Sequence, residues 1–218
     1  MSKRPSPANT RFPSPLSTTS SPHSEEEKIA LIATHFRSIM EILGLDLKND
    51  SLSKTPERVA YMYVREIFSG LDVDRFPDVS FFKEEIHHEH QPDMVFAKVG
   101  FVSFCEHHFL PMTGSACIAY LPESKLIGLS KLPRLVHFFA KRPQVQERLT
   151  AQIADSLSLL LETENIAVSI HAQHFCVTAR GVKDENSRTI TNVLRGQFHS
   201  NENLRREFFE GINRQDPI

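Results

Sequence analysis

Two strand-like runs, MVFAKVGFVSF at 94–104 and SACIAYLP at 115–122, bracket the segment that most restricts the fold, Cys105-Glu106-His107-His108. Both runs are rich in β-branched and aromatic residues and alternate in polarity, the pattern of a pleated sheet. A third run, NIAVSIHAQHFCVTARG at 165–181, reads the same way. Its period of two sets Ile170, Ala172, His174, Cys176 and Thr178 on one face, so that an imidazole and a thiol project together. Cys117, inside the second run and unpartnered in sequence, reads as core.

Helices flank these strands. Ser24-Glu-Glu-Glu27 offers a capping box, followed at helical spacing by Ile29, Ile32, Phe36, Ile39, Met40 and Leu43, with Gly44 as the stop. Thr55-Pro56-Glu57-Arg58 supplies a second start, Thr55 as N-cap and Pro56 at the first helical position. A third helical stretch runs from about 130 to 161 with a break near Pro143. Helices outside a set of strands that alternate one by one indicate an α+β domain with an antiparallel sheet. Residues 1–23 are dominated by Pro, Ser and Thr and carry little apolar surface to offset the entropy of ordering. They read as a disordered tail, and residues 24–218 as the folded domain.

Composition removes several classes of function. Net charge is only −2, which argues against nucleic-acid binding by bulk electrostatics. No run reaches the length of a membrane span, and no apolar leader follows Met1. Three cysteines are too few and too odd for a disulfide framework, so the expectation is a cytoplasmic protein with reduced thiols.

Reduced thiols beside histidines point to metal. Cys105-x-x-His108 has spacing common in zinc sites, although a histidine in an apolar strand is often only a hydrogen-bonded core residue. If Cys105, His108, Cys176 and either His107 or His174 all bind, the site is closed and structural. If three bind, a water completes the tetrahedron with a pKa near neutrality, and the spare imidazoles can move protons. A second feature is KLIGLSKLPRLVHFFAKRPQVQER, 125–148, with six Lys or Arg against a single acid. Ser130 as N-cap leaves Lys131 and Arg134 three apart near a helix start, where an anion is favoured. A solvated cationic face is the plain alternative. Glu147, alone among those cations, is either an ion-pair partner or an acceptor for a ligand's N–H groups.

Together CEHHFLPMTG, GLSKLPRLVHFFAKRPQVQERLTAQIADSL and HAQHFCVTARGV, with TPERVAYMYVREIFSGLD upstream, closely resemble GTP cyclohydrolase I over roughly residues 28–212. The resemblance implies a tunnelling fold: an antiparallel sheet with helices on one face, sheets of several subunits joining into a barrel, and two pentamers stacking as a homodecamer. It implies conversion of GTP and water to formate and 7,8-dihydroneopterin triphosphate. It further implies Zn2+ on Cys105, His108 and Cys176, with His107 and His174 as proton-transfer groups around the purine C8. Gln146 and Glu147 become the guanine-binding pair, and Lys131, Arg134, Arg180 and Arg58 contact the triphosphate, with Ser130 near ribose or phosphate. Read from residues alone, Arg58 would be a helix-end ion pair with Glu57 or another acid. Two departures from the family, Gly100 where relatives often carry an acid and His87-His88-Glu89-His90, touch no motif position. Alternatives are a tunnelling-fold relative acting on another purine or pterin, such as the nitrile reductase of queuosine biosynthesis, or a non-enzymatic protein stapled by zinc.

Overall fold

Alternation along the first long strand separates the two faces of the sheet. In β2 (Val95–Cys105) Val99, Phe101 and Ser103 are buried while Lys98, Gly100 and Val102 face out. The computed structural model describes residues 9–10, 13–17, 21–82, 94–123 and 125–214; the departure at 87–90 lies outside them. Before β2 come α1 (Glu25–Ile42), α2 (Thr55–Tyr61) and the two-residue β1 (Phe81–Phe82). After it follow β3 (Pro111–Tyr120), β4 (Leu126–Ile127), α3 (Lys131–Ala140), β5 (Pro143–Gln144) and α4 (Gln146–Leu161). The chain continues as β6 (Ile166–His174), α5 (Phe175–Thr178), β7 (Thr189–Leu194), α6 (Gln197–Ser200) and α7 (Glu202–Asn213). Five strands form one sheet in the order β5-β2-β3-β6-β7, antiparallel except for β5 against β2, and β1 pairs separately with β4.

Central strand β3 is buried from Ala116 to Tyr120 because it is covered on both faces. Ala116, Ile118 and Tyr120 join Val99, Phe101, Ile166, Val168 and Ile170 beneath α3 and α4 in the main core. On the other face, Cys117, Ala119 and Ala167 meet Phe198, Phe208 and Ile212 from α6 and α7. Each fully buried aliphatic or aromatic side chain contributes about 1.5–3 kcal/mol, so these contacts dominate the stability. Cys117 is core, as its sequence context indicates.

The capping box forms as expected: Ser24 N–H donates to Glu27 and Glu27 N–H to Ser24 Oγ. Gly44 follows α1 with φ +78°, the left-handed conformation glycine adopts without strain. Much of the apolar stripe of α1 is nevertheless open to solvent; Ile39, Ile42 and Leu43 are exposed and only Ala33 and Met40 are buried.

Four expectations need adjustment. Lys54, not Thr55, occupies the N-cap of α2, without a side-chain bond, because Thr55 is already helical. After Tyr61 the helix widens into a π-helical stretch, Met62–Ile67. The strand expected from 115 begins at Pro111, which the pairing of Phe104 with Pro111 extends. Finally, β6 ends at His174, and Cys176 lies in the helical turn α5, so it does not share a strand face with His174. The break near Pro143 is present, filled by β5 between α3 and α4. In the amino-terminal part Ser14 is buried and its Oγ accepts from Arg142 at 2.8 Å and Gln152 at 3.3 Å.

Gly114 and Gly100 make opposite predictions. A Cβ on Gly114 would lie 2.1 Å from the carbonyl oxygen of His171 and 2.7 Å from Ala172 Cα, whereas one on Gly100 meets nothing within 4 Å. Urea denaturation is expected to show Gly114→Ala losing about 3 kcal/mol. Gly100→Ala should stay within about 0.5 kcal/mol of the parent.

Candidate metal centre and active site

The turn between β2 and β3 is closed by two backbone bonds, Cys105 N–H to Leu110 O at 2.9 Å and Phe109 N–H to Cys105 O at 2.8 Å. Cys105 therefore ends β2 as a buried residue, while His107 and His108 sit exposed on the turn. Phe109 takes φ +52°, a conformation with a steric cost for a side chain carrying a Cβ. Aromatic packing opposes that cost: its ring lies 5.1 Å from Phe68 and 6.3 Å from Tyr63, and Phe68 also stacks on Phe104 at 5.7 Å. The π-helical stretch after α2 thus braces the turn.

Cys176 approaches from the opposite side. β6 pairs His174 with Met112, just past the turn, and α5 then folds Cys176 toward Cys105. The ligand atoms of Cys105, His108 and Cys176 all lie within 4.8 Å of one another. Two thiols and an imidazole at that separation suit a thiophilic divalent cation such as zinc. Burial first, then the adjacent Cys105, pushes the Cys176 thiol up, so a cation binding here displaces protons.

β5 carries the other half of the site. Its parallel pairing sets Phe104 beside Pro143 and Cys105 beside Gln144, and Glu106 N–H continues the ladder to Gln144 O at 3.0 Å. α4 starts two residues later, so its first turn lies against the metal-binding turn. Arg148 donates from both Nη1 and Nη2 to the two oxygens of Glu106, a fork-to-fork pair that holds the Glu106 carboxyl below its usual range. His174 Nε2 lies 2.7 Å from Gln146 Oε1. Burial lowers the pKa of His174, and the charge of exposed Glu147 opposes the shift.

Of the residues expected from sequence, the fold draws together Cys105, His107, His108, Gln146, Glu147, His174, Cys176 and Arg180. Arg180 Nη1 is 2.8 Å from His108 Nε2. Others lie elsewhere in the chain. The carboxyl end of α3 meets β2 near the turn, through Ser103 Oγ donating to Ala140 O at 2.8 Å. Ser130 and Lys131 belong to the other end of that helix, Lys131 roughly 13 Å along its axis from Ala140 at 1.5 Å per residue, and Arg134 lies about 9 Å from Ala140 on the same count. Arg58 lines a separate cavity of about 620 Å³ with Lys54, Tyr61 and Glu66, while Glu57 pairs with Arg37 of α1. The Glu106–Arg148 pair and the aromatic brace were not read from sequence. Glu106 inside CEHH was visible, but its partner is 42 positions away.

Fold and site define a class: a mostly antiparallel α+β sheet carrying a compact Cys-His-Cys metal-binding group with a half-buried histidine and the start of a helix beside it. A family model described as GTP cyclohydrolase I matches residues 32–213. GTP cyclohydrolase 1 of Buchnera aphidicola subsp. Schizaphis graminum is 51% identical over 185 residues, covering 85% of this chain and 84% of the relative. That of Klebsiella pneumoniae is 48% identical over 192 residues (88% and 85%), and that of Aeromonas hydrophila 50% over 190 (87% and 86%). The chain belongs to the GTP cyclohydrolase I family, and its sheet and helices are those of the tunnelling fold.

Breaking the bridge from one side leaves a half-buried charge without its partner. Glu106→Gln or Arg148→Met is expected to lower stability by about 1–3 kcal/mol in urea unfolding. In the double variant the two losses should not add, because they remove one interaction.

Proposed function

We propose that this protein is a zinc-dependent enzyme converting GTP and water to formate and 7,8-dihydroneopterin triphosphate, the entry reaction of pterin and tetrahydrofolate synthesis. The observation that carries this reading is the Cys105-His108-Cys176 group, within 4.8 Å, in a chain 51% identical to a GTP cyclohydrolase 1. Cys105, His108 and Cys176 hold the metal; when bound, zinc supplies Lewis-acid activation of water in the open position of a three-ligand site.

The chain's own groups do the rest. His107 and His174 carry protons to and from the purine, at N7 and the oxygen added to C8, as the C8–N bond breaks and the five-membered ring opens. A second hydrolysis releases formate and frees an amino group. That amine condenses with the opened ribose and the dihydropterin ring closes with loss of one water, so one water is consumed overall. Glu147 accepts from guanine N1–H and the exocyclic amino group. Arg180, Lys131, Arg134 and Arg58 hold the triphosphate through these steps, with Ser130 near the ribose.

Lys131, Arg134 and Arg58 stand apart from the metal-binding group of their own chain, and this favours a site completed by neighbouring copies. Exposed Ile39, Ile42 and Leu43 on α1 and the open edge of β7 favour the same arrangement, a homo-oligomer that we assign as a decamer of two pentamers. Three free cysteines support a cytoplasmic setting. No helix among the described residues is long and apolar enough to cross a membrane.

Metal analysis is expected to find about one zinc per chain. Cys105→Ser and Cys176→Ser should lose metal and turnover together, while His107→Ala and His174→Ala keep the metal and lose turnover. Equal loss of zinc in all four variants would support the stapled, non-catalytic alternative.

Base choice tests Glu147. Adenine turns an unprotonated N1 toward the same carboxylate, leaving a charged acceptor unpaired. Formate release should therefore favour GTP over ATP by roughly 10⁴-fold in kcat/KM. Glu147→Ala should erase most turnover with zinc retained, and full GTP activity in that variant would refute the assignment.

A further inference from the structure

Gln146 opens α4 with its side chain at 2% exposure and every polar atom of its amide engaged. Nε2 donates to Ile170 O and Thr189 O, each at 3.0 Å, and to Thr191 Oγ1 at 3.1 Å. Oε1 faces His174 Nε2 at 2.7 Å. The polarity of this network is fixed by two groups that can only accept. Backbone carbonyls of Ile170 and Thr189 require the NH2 end of the amide, so the oxygen end must be the one that meets His174.

The hydroxyls agree. Thr150 Oγ1 donates to Gln146 O at 2.8 Å, so its proton is spent there, and Thr191 must donate to Thr150 Oγ1 across their 2.6 Å contact. That leaves a lone pair on Thr191 Oγ1 for Gln146 Nε2. Turning the amide over would set oxygen against two carbonyl oxygens and NH2 against the imidazole.

We infer that Gln146 is a positioning residue that keeps hydrogen on Nε2 of His174, leaving Nδ1 as the ring atom that exchanges a proton with the substrate, and that its side chain does not contact guanine. An amide oxygen in a fixed place can only be met by a donor, so the ring nitrogen facing it carries hydrogen. β6, β7 and α4 all contribute to that constraint, which gives His174 one ring orientation and one reacting atom. To reach a base, the Gln146 side chain would have to give up its hydrogen bonds to Ile170 O, Thr189 O and Thr191 Oγ1 as well as the contact with His174. Base recognition therefore falls to Glu147, one residue on and exposed. This inference rests on the GTP-hydrolysing reading of the site for its kinetic consequence but not for its spectroscopic one.

The zinc-loaded enzyme, ¹⁵N-labelled at histidine, tests the spectroscopic part. His174 is identified among the 11 histidines by the resonances lost in His174→Asn. The expected spectrum shows hydrogen on Nε2 and an unprotonated Nδ1, and hydrogen on Nδ1 of the neutral ring would overturn the inference. Kinetics test the rest, in Gln146→Met, which keeps the volume and removes every hydrogen bond. The positioning role predicts zinc retained, kcat down about 10²-fold, and KM for GTP within about twofold of the parent. Preference for GTP over inosine and xanthosine triphosphates should be unchanged. A rise in KM with collapse of that preference while kcat holds would make Gln146 a base contact and defeat the proposal. A parent enzyme that releases no formate from GTP would defeat the proposed function alone, since the spectrum of His174 is read without turnover.

Discussion

Two residues of parallel pairing, Phe104–Cys105 against Pro143–Gln144, hold the site together. This short ladder joins the metal-binding turn by backbone hydrogen bonds to the connection between α3 and α4, and it sets α4 to begin where Cys105 ends β2. Gln144 is anchored in turn by its own side chain, whose Nε2 donates to Phe139 O at 2.9 Å and Gln152 Oε1 at 2.8 Å. The Glu106–Arg148 bridge and the Gln146–His174 bond both follow from that placement. Apart from this pairing, α4 packs on the sheet through Leu149, Ile153 and Leu157, and its first turn is tied to β6 and β7 by the Gln146 amide.

The same junction contains an expensive residue. Arg142 is completely buried, and burial pulls its pKa down to about 9. Its guanidinium lies 5.0 Å from the centre of the Phe138 ring and 4.7 Å from that of Phe139. Nη1 donates to Ser14, while Nε and Nη2 have no partner in the described structure. Two aromatic faces and one hydroxyl replace only part of the water such a cation loses. A helix–strand–helix junction beside a reactive site is thus held in place at a local cost in stability, as is the left-handed Phe109 on the neighbouring turn.

The substrate half of the site follows a different logic from the metal half. Cys105 and His174 end strands that one sheet fixes in register, and His108 and Cys176 lie on the turns that follow them, so a single chain suffices to assemble the group. Lys131 and Arg134 lie in the first half of α3, away from the end that meets the metal-binding turn. A triphosphate carries its charge several ångströms from the base, and such a ligand suits cations supplied at a distance from the metal.

How much of this was legible in the sequence depends on the range of the interaction responsible. Ser24 with Glu27, Gly44 after α1, the alternation in β2 and the break at Pro143 were readable because each is decided within a few residues by capping, backbone freedom or pleat. The metal-binding set was readable as soft ligands at close spacing, although not as a closed or open site. The end of β6 was misread because Cys176 and Thr178 continue the period of two, and a four-residue helix is too short to impose a period of its own. The engagement of Gln146 by Ile170, Thr189 and Thr191, the pairing of Glu106 with Arg148, and the end of α3 that faces the turn were decided only by tertiary structure. Sequence determined which groups the protein has and which local conformations they take. The folded sheet decided which of them meet, because hydrogen-bond partners 24 to 45 positions apart are set by strand register and helix direction, neither of which a local pattern encodes.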